Sequence, residues 1–70
     1  MTIGQSIRKA RESKKMSRWL VSQKSGLNYV LLYYWETDRS LPRIDLLICV
    51  ADVLGVSLDE LVGRTNIKSH

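Results

Sequence analysis

Phenylalanine is missing from this 70-residue chain, and histidine, cysteine and proline occur once each. Each scarcity removes a class of protein. The lone Cys49 cannot close an intramolecular disulfide, so a chain this short must hold itself together by an efficient aliphatic core. The one histidine, His70, stands at the end of the chain, and Cys49 has no histidine near it in sequence. Neither a metal-ligand cluster, a nucleophile–base pair nor a glycine-rich phosphate loop can be assembled from such a pattern. No catalytic residue, metal, cofactor or small-molecule substrate is therefore expected, and Cys49 reads as a small apolar residue at the margin of the core. No apolar run is long enough to span a bilayer and no stretch reads as a signal peptide, so a membrane partner is excluded and a reducing, cytoplasmic setting is expected.

What remains is 44% hydrophobic and 26% charged, rich in Ile, Leu and Val, the composition of one globular helical domain. The domain is expected over residues 1–63, with 64–70 as a flexible tail that carries no pattern. The net charge of +4 is unevenly placed. Arg8, Lys9, Arg11, Lys14, Lys15, Arg18 and Lys24 all precede Gly26, with Glu12 as the acid among them. Such a run is either a footprint for phosphate or a solvated face.

Ile3, Ile7 and Ala10 recur at helical spacing, which predicts a first helix over Ile3–Ser13 with its charges pointing outward. Ser17 is a good N-cap for a second helix, Arg18–Lys24, that buries Val21. Ser25-Gly26-Leu27 is a helix stop and turn, and Asn28 can cap a third helix running to about Glu36. After the polar connector from Thr37 to Pro42, a fourth helix begins at about Arg43 or Ile44 and runs to Leu54. Leu46, Leu47, Val50, Ala51 and Leu54 form its wide apolar stripe, and Gly55 ends it. Ser57-Leu58-Asp59-Glu60 is a capping box, with Val56 and Leu61 as a hydrophobic staple, so a fifth short helix starts there. Leu32, Trp35, Leu47, Val50, Ala51 and Leu54 are expected to be buried together.

The third helix is the unusual one. At about 100° per residue, Leu32 and Trp35 share one side while Tyr29, Val30, Tyr33 and Tyr34 fill the other, and only Glu36 is charged. On the second helix Trp19 and Leu20 fall with Gln23 and Lys24, the side that is normally polar. A chain of this size cannot wrap both sides of the third helix, so a partner is expected to cover the far side.

Over Ile3 to Gly63 the chain resembles the Cro and phage-repressor, or XRE, type of helix-turn-helix domain. The matching residues are Ile3-Gly4-Gln5, Ile7-Arg8, Ser17, Val21, Ser25-Gly26-Leu27, Leu32, Trp35-Glu36, Pro42, Leu47, Ala51-Asp52 and Leu54 through Leu61. The resemblance implies an all-α, compact, lambda-repressor-like five-helix bundle. It also implies DNA binding through a dimer, with the third helix in the major groove. Arg18 stands where the family often has a phosphate-contacting glutamine. Polar residues usually occupy the base-facing positions that here hold Tyr29, Val30, Tyr33 and Tyr34, Leu31 replaces a frequent threonine, and Cys49 a frequent lysine.

Bases in the major groove are read by donors and acceptors, and after Asn28 the third helix offers few. Trp19, Leu20, Tyr29, Val30, Leu31, Tyr33 and Tyr34 instead make a patch whose composition suits the centre of a protein interface. The leading expectation is therefore a protein-binding module that takes either a foreign protein or a second copy of itself as a homodimer. The alternative is a DNA-binding transcriptional regulator using Arg18, Asn28, Tyr29, Tyr33, Tyr34, Arg39 and Arg43 on duplex DNA. Family residues in the core with apolar replacements on one face also fit an engineered interface on a natural scaffold. A natural domain that dimerises through its second and third helices leaves the same pattern.

Overall fold

Among residues 2–62, the part of the chain that this computed structural model describes, five helices follow one another without a strand: α1 (Ile3–Ser13), α2 (Arg18–Ser25), α3 (Tyr29–Glu36), α4 (Ile44–Leu54) and α5 (Leu58–Val62). The expected tail at 64–70 lies outside the described residues.

Side chains set where the helices begin. Ser17 Oγ accepts the Leu20 N–H at 3.0 Å, and Asn28 Oδ1 accepts the Val30 N–H at 2.7 Å. Ser57 and Glu60 form the expected reciprocal box, with bonds of 3.1 and 3.0 Å. A second box, not singled out in the sequence, opens α1: Thr2 Oγ1 accepts from the Gln5 backbone and Gln5 Oε1 from the Thr2 backbone. Gly26 and Gly55, with φ of 78° and 69°, end α2 and α4 in the left-handed region where a Cβ is costly.

The core contains all six of the residues expected to converge in it, joined by Ile7, Val21 and Leu61. α1 packs on α3 and α5, α2 on α3 and α4, and α4 on α5. α1 meets α3 closely at Gly4, where a methyl group would overlap the Trp35 carbonyl oxygen and Asp38 Oδ1.

Two expectations are corrected. Arg11 does not point outward with the other α1 charges. It is buried because Glu36 and the Met16 carbonyl satisfy its guanidinium inside the bundle. Cys49 is exposed rather than at the core margin. Ile44 and Ile48 on the same helix are exposed too, as is Leu41 before it, at 79%. The core-facing stripe of α4 is the expected one, with Leu47, Val50, Ala51 and Leu54 buried and Leu46 partly buried against them.

Candidate nucleic-acid interface

α2 and α3 are joined by a turn that its own side chains hold. Ser22 Oγ donates to the Leu27 carbonyl at 2.5 Å, and the Leu27 N–H donates to Ser25 Oγ at 3.2 Å. With Gly26 left-handed and Asn28 capping, the direction in which α3 leaves the turn is fixed by these bonds rather than by packing alone.

Helical period then divides α3. Leu32, Trp35 and Glu36 are buried, and Tyr29, Val30, Tyr33 and Tyr34 are exposed. Trp19 stands beside them on α2 at 60% exposure. Leu20 and Leu31 are half-buried, Leu31 against the core, so they contribute to the base of this face more than to its surface. No other part of the described chain buries the far side of α3.

Behind the face lies an ion cluster that sequence reasoning did not assemble. Glu36, 5% exposed, accepts from Arg11 Nε at 2.7 Å and Arg11 Nη2 at 3.0 Å, and also from Arg18 Nε at 3.0 Å. A signal for it existed. Arg11 follows Ile7 by one helical turn and Glu36 follows Leu32 by one, so both stand on buried stripes. The cluster ties α1, α2 and α3 together at one carboxylate.

Arg18 spans from this cluster to the surface. Its Nη1 lies 3.5 Å from the Tyr29 hydroxyl, the long end of a hydrogen bond, and its guanidinium carbon is 5.2 Å from the centre of the Tyr33 ring. The Tyr29 hydroxyl and the Glu36 carboxylate raise its pKa above an already high ordinary value, against the opposing effect of burial. Arg39 reaches the same face from beyond α3, with its guanidinium carbon 6.0 Å from the Tyr33 ring centre and 5.8 Å from that of Tyr34. The two tyrosine rings are tilted at 49°, centres 6.1 Å apart. Asp38, at φ 61°, makes the bend that brings Arg39 back, and its carboxylate accepts the Thr2 hydroxyl at 3.0 Å. Arg43 lies at the start of α4 in an exposed pair with Asp45.

Chemically, this surface offers phenol hydroxyls, the free amide nitrogen of Asn28 and the guanidinium groups of Arg18 and Arg39 around an apolar centre. It suits phosphate at its rim and methyl groups or apolar surface in the middle. Among the described residues there is no cluster that could hold a metal ion, and no helix is long and apolar enough to cross a membrane.

Comparison with known proteins gives consistent results. The family model described as helix-turn-helix matches residues 7–61. The immunity repressor protein of Bacillus phage phi105 is 31% identical over 67 residues, which is 96% of this chain and 46% of that repressor. The chain thus spans about half the length of this curated relative. Among solved structures, the P22 c2 repressor protein, crystallised with synthetic operator 9T in the presence of Tl+, superposes with a TM-score of 0.81. The match covers 89% of this chain and 94% of that one at 24% identity, a likeness of fold. Nothing in these matches points to an engineered origin.

Proposed function

The chain belongs to the helix-turn-helix family of the XRE, Cro and phage-repressor type, and from that membership we propose that it is a transcriptional regulator that binds duplex DNA as a dimer in the cytoplasm, with α3 in the major groove. The family is not one of enzymes. The observation that carries the reading is the combination of a side-chain-locked turn with an α3 face left open to solvent and bracketed by Arg18 and Arg39. In this reading Arg18, Arg39 and Arg43 contact phosphates. Asn28 and the hydroxyls of Tyr29 and Tyr34 supply the polar contacts, and Val30 with the rings of Tyr29 and Tyr34 packs on thymine methyls. Sequence recognition then depends on shape and methyl groups more than on bidentate bonds to base edges.

This order reverses the one that residue composition alone favours, because the relatives are repressors and none of them argues for a protein-binding design. The exposure of Trp19, beside rather than on α3, keeps a second reading in place: Trp19, Leu20, Tyr29, Val30, Leu31, Tyr33 and Tyr34 as a surface for a protein or for a second copy.

Selection from a randomised duplex pool, followed by anisotropy titration at physiological salt, tests the DNA reading. The expected result is a recovered sequence bound at least about a thousandfold more tightly than scrambled duplex. Weak binding that ignores sequence and vanishes with salt would shift the function to the protein-binding surface.

A further inference from the structure

We infer that Tyr33 is a positioning residue, whose ring holds the guanidinium groups of both Arg18 and Arg39 ready for phosphate. The inference rests on the duplex-binding reading above and adds a role that none of the base-contact assignments contains. Arg18 starts α2 and Arg39 follows α3, yet both guanidinium groups lie within about 6 Å of one ring, the range of a cation–π contact. Arg18 has a second anchor in Glu36. Arg39 makes no salt bridge among the described residues, so Tyr33 and Tyr34 are what order it. A free arginine loses many rotamers when it grips a phosphate, and one already stacked on a ring loses fewer. The ring face does this work, and the hydroxyl is not needed for it. That separates Tyr33 as a positioning residue from Tyr33 as a reader of bases.

The test compares Y33F, which keeps the ring, with Y33L and Y33Q, which remove it. Tyr33 is exposed, so each variant is first matched to the wild type by its denaturation midpoint. In the free protein, NMR should show ring-current-shifted side-chain protons of Arg18 and Arg39. These shifts should be unchanged in Y33F, lost for Arg18 in Y33L and Y33Q, and reduced for Arg39, which retains Tyr34. On duplex DNA, Y33F should bind within about twofold of the wild type. Y33L and Y33Q should bind selected and scrambled duplexes alike about three- to tenfold more weakly, as expected for one or two lost exposed cation–π contacts. Their salt slopes should match the wild type because no charge is removed, whereas R18Q and R39Q should each flatten the slope by about 0.9. Adding Y33L to R18Q/R39Q should cost nothing more. Equal losses in Y33F and Y33L, or a loss confined to one duplex sequence, would make Tyr33 a base reader and overturn the inference. So would Y33L leaving shifts and affinity untouched. A wild-type protein that binds no duplex even at low salt would remove the duplex-binding reading itself, and the inference with it.

Discussion

Replacing Glu36 with glutamine should destabilise this domain by about 3–5 kcal/mol, the usual consequence of removing one partner from a buried ion pair. The side chain is 1% exposed and its two oxygens accept bonds from Arg11 Nε, Arg11 Nη2 and Arg18 Nε. Glutamine keeps the shape and one acceptor but turns the other oxygen into an NH2 that faces guanidinium N–H groups. Arg11, whose side chain is 10% exposed, then keeps its bond to the Met16 carbonyl at 2.8 Å and one bond to the remaining oxygen, but no counter-ion. At about 0.05–0.15 kcal/mol per residue, a domain of this size has only about 3–10 kcal/mol in total, so the loss is a large share of it. Arg18→Gln should be far milder, about 1 kcal/mol, because Arg18 lies nearer to solvent and Glu36 retains both bonds from Arg11. Arg11→Met combined with Glu36→Met should recover much of what either single change loses, since the buried charge and its counter-charge leave together. Urea denaturation followed by circular dichroism reads each of these variants against the wild type, with unchanged m-values as the check on two-state behaviour. If Glu36→Gln unfolds within about 1 kcal/mol of the wild type, or costs no more than Arg18→Gln, the carboxylate is not the junction of α1, α2 and α3.

Leu47→Ala should cost about 2–5 kcal/mol in the same assay, because Leu47 is fully enclosed by the α4 core. Gly4→Ala should destabilise by about 1–3 kcal/mol although alanine is the better helix former, since its methyl group has to displace the Trp35 carbonyl. Trp19→Ala should leave stability within about 0.5 kcal/mol, and light scattering coupled to size exclusion should show any self-association weakened. Arg18, with its pKa raised on folding, contributes stability that is fully present below its unfolded pKa and is lost only in strong alkali. Arg18→Gln should therefore leave the shape of the stability–pH curve around neutrality unchanged.

The helix positions were legible because caps and glycines act locally: Ser17, Asn28, Ser57, Gly26 and Gly55 do in the fold what their side chains, or lack of one, dictate within a few residues. The division of α3 into a buried Leu32–Trp35 side and an open tyrosine side followed from helical period for the same reason. The Arg11–Glu36 pair was not legible in that way. A charge is assigned to solvent by default, and its partner lies 25 residues along the chain, so the one local mark of the exception, its place a turn after Ile7, is easily overridden. The convergence of Arg18 and Arg39 on Tyr33 depends likewise on the bend at Asp38, a non-glycine residue at positive φ that no turn motif announced. Cys49 was misplaced because the α4 stripe is wide, and composition alone does not show which edge of a wide stripe stays outside.

The claim on which the account turns is that the apolar face of α3 reads the major groove, and the most direct test removes what such a face can touch. Thymines in the duplex recovered by selection are replaced one at a time by uracil, which deletes the methyl group and leaves every hydrogen-bonding edge intact. If Val30 and the rings of Tyr29 and Tyr34 pack on methyls, one or two positions should each weaken binding by about 1 kcal/mol or more, and Val30→Ala should abolish that sensitivity at one of them. Uniform affinity across every uracil-substituted duplex would contradict the account, as would equal binding of selected and scrambled sequences by the wild type.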